Sequence, residues 1–191
     1  GIPSLKKYVS PINKKEKDRI KKLLCNYMPQ RTLLDILCNT QHWTNWCKNF
    51  GYHLGDNTNI KNPIERYILT TFAMGCSLGP TQASRHLRGR ISAHEISFTN
   101  KRHVSSKQLE SASADISNLY SRFVLPLVWG DPKVAIADGS QVELNRNILM
   151  AESHIRYGGY GGIAYRHISD TYIALFSHFI PCSVWEAIYI I

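Results

Sequence analysis

The chain has 191 residues, 43% hydrophobic and 19% charged, which excludes disordered, collagen-like and coiled-coil proteins and suffices for one domain with a core or two modest pieces sharing one. Lys and Arg outnumber Asp and Glu by 23 to 14, and the resulting charge of +9 favours polyanionic partners over acidic ones. No uninterrupted apolar segment follows the lysine-rich start, and runs such as Phe123 to Trp129 are far too short to span a bilayer, so no export or membrane role is implied.

The first two thirds read as helices separated by caps and breakers. A basic amphipathic helix is predicted from about Lys14 to Asn26, in a region (Lys6, Lys7, Lys14, Lys15, Lys17, Arg19, Lys21, Lys22) that is either a phosphate-contacting stretch or an ordinary solvated face. After Pro29 a second helix starts at Thr32, with Leu33, Leu34, Leu37, Trp43 and Trp46 at helical spacing, and ends by Gly51 and the Gly55-Asp56-Asn57 turn. Asn62-Pro63 reads as an N-cap followed by proline at the first helical position, with Ile64, Ile68 and Phe72 as the buried stripe and Gly75 as the stop. Gly79-Pro80 opens a short helix with Ala83 and Leu87 inward and Arg85 and Arg88 outward, closed by Gly89. Ser92 with Glu95 and Ser105 with Gln108 match capping boxes, the second ahead of Leu109, Ala112, Ile116, Leu119 and Phe123, the strongest helical period in the chain.

Beyond Pro126 the pattern changes to strands. Lys133 to Leu144 holds a β-like run around Asp138-Gly139-Ser140; the pairs Gly158-Gly159 and Gly161-Gly162 mark a loop; Ile163 to His167 and Tyr172 to Ile180 form a hairpin joined at Ser169-Asp170. Ser183 and Glu186 read as a capping box for a helix from Val184 to Ile191, where the sequence stops on an apolar run without a cap, as a truncated chain does. No internal repeat or low-complexity segment is present.

The five cysteines (Cys25, Cys38, Cys47, Cys76, Cys182) form no C-x-x-C pair, so they read as reduced, mostly buried thiols, which points to the cytoplasm. Strand with a central Asp, then hairpin, then helix is the opening order of a ribonuclease-H-like layout, in which the first-strand carboxylate faces a divalent-metal site. Asp138 occupies that place; by pattern alone an Asp-Gly after a strand is also a common turn. Asp170 reads as a turn residue more readily than a second ligand, and His167 with His178 as core or surface histidines more readily than zinc ligands. The glycine loop lacks the lysine and helix of a phosphate loop, and Ser140 lies outside a G-x-S-x-G elbow. Arg85, Arg88, Arg90, Lys101 and Arg102 form a second basic cluster, read either as contacts to a DNA backbone or as a solvated surface. Trp43, Trp46 and Trp129 sit in apolar contexts and read as core.

The stretches Ile136-Ala137-Asp138-Gly139-Ser140-Gln141, Ile155-Arg156-Tyr157-Gly158-Gly159, Gly162 to His167, and Ile168-Ser169-Asp170 with Phe176-Ser177 resemble in order and spacing the first catalytic segment of Tn-three family transposases. Gly75-Cys76-Ser77-Leu78-Gly79-Pro80 and Trp129-Gly130-Asp131 resemble that family's helical region, so the likeness runs from about residue 50 to the end. The resemblance implies a bacterial, nucleoid-associated DDE transposase. In such an enzyme two Asp and one Glu hold magnesium (or manganese), nick transposon ends and join their 3′ hydroxyls to target DNA.

Of that triad only Asp138 carries over to this sequence, as catalytic residue and metal ligand. A lone carboxylate cannot hold two hard cations that each want about six oxygens, so the chain alone is expected to be inactive. The expected architecture is α+β: a mostly helical region over residues 1–130, then the first three antiparallel strands and one helix of a ribonuclease-H-like domain over 131–191. A second copy of the chain is one way to cover the open edge of such a partial sheet. Two competing readings are a non-catalytic DNA-binding or interaction module and a metal-dependent nuclease.

Overall fold

The computed structural model describes residues 13–54, 59–153 and 158–189. Among the described residues six α-helices precede the sheet: α1 (Lys14–Tyr27), α2 (Leu33–Thr44), α3 (Pro63–Gly75), α4 (Pro80–His86), α5 (Ala93–His103) and α6 (Ser106–Tyr120). Their starts follow from local chemistry. The capping boxes at Ser92–Glu95 and Ser105–Gln108 are formed, as are two more at Asn13–Glu16 and Thr32–Asp35, each satisfying backbone N–H groups that a helix start leaves without a partner. Asn62 departs from expectation: it sits in the left-handed region and its side chain caps nothing, so Pro63 at the first helical positions is what sets the start of α3.

The helical core has two parts. Trp46, Cys47, Phe50, Tyr67, Ile68 and Ala112 form one, with Trp46 edge-on to Phe50 at 5.4 Å and Phe50 edge-on to Tyr67 at 5.5 Å. Leu69, Ala73, Ala83, Ile91 and Ile96 form the other, where full burial of a side chain such as Ile96 contributes about 1.5–3 kcal/mol. Asn45 explains how Trp46 enters the core while Trp43 does not. Its left-handed backbone (φ 52°) ends α2 and redirects the chain into a 3₁₀ turn over Trp46–Asn49, leaving Trp43 68% exposed on the outer face of α2.

Other expectations about burial fail for the same kind of reason. Ile64 is exposed and Phe72 half-buried, because α3 turns Tyr67, Ile68, Leu69, Thr70 and Ala73 to its neighbours instead. In the α6 series Ala112 is buried and Ile116 and Leu119 half-buried, whereas Leu109 and Phe123 are exposed. Trp129 is also exposed. Of the five cysteines all are free, but only Cys47 is buried; Cys25, Cys38 and Cys76 are exposed, since they lie on outer helix surfaces or at a helix end. α1 has its apolar stripe (Ile20, Leu23, Leu24) yet buries none of its residues.

The sheet is four-stranded and antiparallel, one strand more than expected: β1 (Ala135–Glu143), β2 (Glu152–Ser153), β3 (Tyr160–Ser169) and β4 (Ala174–Pro181). β3 is central. It pairs along one edge with β1 and along the other with β4, with the short β2 beside its first residues. Gly161 and Gly162 therefore lie in a strand and not in a loop, while Gly158 and Gly159 keep the positive φ of a turn. β3 alternates cleanly: Ile163, Tyr165, His167 and Ser169 are buried, Arg166 and Ile168 exposed. Ile163 and Tyr165 with Ile180 form the sheet's own core, backed by Ala137, Cys182 and Tyr189.

The β3–β4 turn is anchored to the residues before β1. Asp170 N–H donates to the Val134 carbonyl at 2.9 Å, and the Asp170 carboxylate accepts from Asp131 N–H at 3.0 Å. Tyr172 takes a left-handed conformation (φ 64°), so β4 begins at Ala174 and not at Tyr172. The predicted α-helix after Ser183 is a 3₁₀ turn over Glu186–Tyr189. The Ser183 N–H donates to the Glu152 carboxylate at 3.0 Å instead of entering a capping box with Glu186. The expected features at Lys6 and Lys7, Gly55-Asp56-Asn57, Ile155-Arg156-Tyr157 and Ile190-Ile191 lie outside the described residues.

Candidate active site

Asp138 sits at the middle of β1, where nine residues run in register against β3. A paired strand holds its side chain more stiffly than a turn, so the reading of Asp138-Gly139 as a turn is excluded. Alternation sends Asp138 to the exposed face, directly across from Arg166, which in turn lies across from Ser177 on β4. Among the described residues no hydrogen bond or ion pair engages the Asp138 carboxylate.

Gly139 faces the opposite, inner side. A methyl group there would come 2.7 Å from the Glu186 carboxyl group, so the absence of a side chain lets Glu186 rest against the strand. Glu186 and Asp138 consequently occupy opposite faces of β1. Asp138 offers a hard oxygen donor suited to magnesium or manganese, but no group of three or more His, Cys, Asp or Glu able to hold a metal occurs among the described residues. The donors present do not complete a metal site.

The remaining candidates fall in structural places. Asp170 is a turn residue fixed by backbone contacts, as above. His167 is 4% exposed, stacked on Phe176 at 4.1 Å, and neither of its ring nitrogens has a hydrogen-bond partner among the described residues. His178 lies 6.0 Å from it between ring centroids, on an exposed position of β4, and among the described residues no third metal-binding side chain joins the pair. Ser140 is exposed on β1.

The basic residues belong to a different part of the molecule. Arg85 is in the last turn of α4, Arg88 follows in a left-handed conformation (φ 50°), and Lys101 and Arg102 are in the last turn of α5; all are exposed. Arg90 is exposed too and borders a cleft between α2 and α3 with Leu34, Ile64 and Glu65. α5 packs on α3 and α4, whereas the extensive contacts of β1 are with β3. The structure thus gathers Lys101 with Arg102 but not the five cations around Asp138.

Two features escape the sequence reading. Arg166 is placed beside Asp138 only by strand register, which no local signal reveals. His94, Ser97 and Phe98 join Lys101 and Arg102 along one cleft on α5, and their three-and-four spacing is legible once α5 is known to expose that face.

Residues 35–191 match the family described as Tn3 transposase DDE domain. The chain belongs to this family. It is similar to the transposase for transposon Tn2501 of Escherichia coli, with 26% identity over 153 residues, 78% of this chain and 15% of that protein. The segment thus spans about one seventh of the curated relative it matches. The matched residues run from within α2 through α6 and the sheet. No helix among the described residues is long and apolar enough to cross a membrane.

Proposed function

We propose that this chain is a segment of a DNA transposase that cleaves transposon ends and transfers the strands to target DNA with the help of divalent metal, magnesium or manganese, in replicative transposition. The observation that carries the reading is Asp138 at the centre of the first strand of an antiparallel sheet, within a chain that belongs to the DDE family. The order β1, β3, β4 around a central strand supports a ribonuclease-H-like layout for residues 131–191, with 1–130 as the helical region before it.

Asp138 is one metal ligand in this proposal. Further carboxylates come from outside the 191 residues, in keeping with the 15% share of the relative that the chain spans. A single ligand binds a hard cation too weakly to organise phosphoryl chemistry, so the segment alone is inactive. The partners are transposon-end and target DNA, the oligomer that pairs two ends is a homo-oligomer, and the setting is the bacterial nucleoid.

Replacement of Asp138 by Ala in the complete transposase is the test. Strand transfer with magnesium is expected to fall about a hundredfold or more while DNA binding persists. Unchanged strand transfer removes the assignment.

A further inference from the structure

The face of α5 formed by His94, Ser97, Phe98, Lys101 and Arg102 lines a cleft of about 260 Å³. A second cleft of about 440 Å³ shares His94 and Phe98 and continues to Lys61. The two make one groove with cations at both ends and an aromatic pair between them. His94 and Phe98 are stacked, 6.4 Å between centroids and 21° between planes, with His94 exposed and Phe98 half-buried.

The spacing explains why these side chains meet. Residues at i, i+3, i+4, i+7 and i+8 share one helix face, and eight residues of helix extend about 12 Å. The second cleft is also lined by Glu95 and Arg66, and this acid is already engaged: the Glu95 carboxylate accepts hydrogen bonds from the Ser92 N–H and hydroxyl and pairs with Arg66. The positive ends of the groove are therefore not neutralised by Glu95. Lys101 and Arg102 also lie in the last turn, where the helix dipole favours cations.

A groove of this composition matches unpaired nucleic acid better than duplex. Phosphates pair with cations at either end, and an aromatic pair offers a stacking surface that only a base freed from its own stack can use. We infer that the α5 groove binds single-stranded DNA, with Lys61, Lys101 and Arg102 on phosphates and the His94–Phe98 pair on a base. This site lies apart from Asp138, and the inference rests on the transposase reading only for its choice of DNA over RNA.

The test uses the 191-residue chain and three fluorescein-labelled probes of equal length read by fluorescence anisotropy: a mixed-sequence single strand, the same strand with abasic sites at its centre, and the duplex. The native chain is expected to bind the single strand at least about fivefold tighter than the other two. Lys101→Ala with Arg102→Ala should weaken single-strand binding about tenfold and flatten its salt dependence by roughly 1.4 in log–log slope. Phe98→Leu, which keeps an apolar side chain in place, and His94→Ala, at an exposed position, should each remove the preference for the strand with bases and leave duplex binding unchanged. Circular dichroism melts verify that each variant folds, and His94→Ala decides the matter if Phe98→Leu does not fold. Equal binding of the abasic and intact strands, or unaltered binding by the variants, overturns the inference. Neither result bears on Asp138, whose assignment stands or falls with strand transfer.

Discussion

The Tyr120 hydroxyl donates to the Thr171 carbonyl at 2.8 Å, fastening the end of α6 to the turn between β3 and β4. Ser117 adds a hydrogen bond to the Ala174 carbonyl at 3.3 Å, and Trp129 meets Tyr172 edge-on at 6.1 Å. Helices and sheet are joined here largely through polar contacts to a turn, not through a shared apolar core. Tyr120→Phe keeps the ring and removes the donor, so it should destabilise the chain by about 1 kcal/mol, read as a lower urea midpoint. An unchanged midpoint means that water takes over the carbonyl without cost.

Gly161 tolerates no side chain. A methyl group there would stand 2.5 Å from the Val142 carbonyl oxygen, part of a neighbouring strand's backbone that cannot rotate away. Gly161→Ala should cost about 1–3 kcal/mol and weaken the pairing of β3 with β1 and β2. Gly158→Ala is the contrast, strained by its positive φ (71°) but free of any atom within 4 Å. Thermal melts of both variants should rank Gly161→Ala as the less stable; the reverse order contradicts this account of the strand.

Burial pushes the Cys47 thiol up to about 12, with the nearby Cys38 adding a smaller push in the same direction. At pH 8 such a group is about one ten-thousandth thiolate, the form that reacts. A thiol-disulfide dye added to the folded chain should therefore modify the exposed Cys25, Cys38 and Cys76 promptly and reach Cys47 only after unfolding. Because the folded value is raised, the unfolded chain loses its proton first as pH rises, and stability should decline from roughly pH 8.5 upward. Prompt labelling of Cys47 in the native chain contradicts its burial.

The Glu95 carboxyl is held below the usual carboxylate range, first by the Ser92 backbone N–H, then by the Ser92 hydroxyl, with Arg66 contributing less. A lowered folded value means that the unfolded chain binds the proton first on acidification. The stabilisation is complete above the unfolded value, near pH 4.3, and is lost as pH falls through the folded one. Glu95→Gln should thus lower stability at neutral pH and make the drop between roughly pH 5 and 3 shallower. Urea midpoints across that interval measure it, and parallel curves for the two proteins count against the cap as the source.

Local chemistry was legible in the sequence. Capping boxes at Ser92 and Ser105, Pro63 and Pro80 at helix starts, and a strand centred on Asp138 all rest on interactions within a few residues, and all are formed. So was the strand position of Asp138, the residue on which the proposed site rests. Burial was less legible: Leu109 stays exposed on α6, Phe123 falls past the helix end at Tyr120, and the Trp43 and Trp46 pair is split by the left-handed turn at Asn45.

The sequence by itself determined where most helices start, that three long strands follow them, and that Asp138 lies on the first of these. Only the tertiary structure decided which faces are covered, that Gly161 and Gly162 extend the central strand, that Arg166 stands opposite Asp138, and that the predicted helix after Ser183 shortens to a 3₁₀ turn. Caps and turns act over three or four residues, so they are written in adjacent letters. Register, burial and the grouping of cations depend on partners brought together from distant positions, and no local pattern specifies which partner arrives.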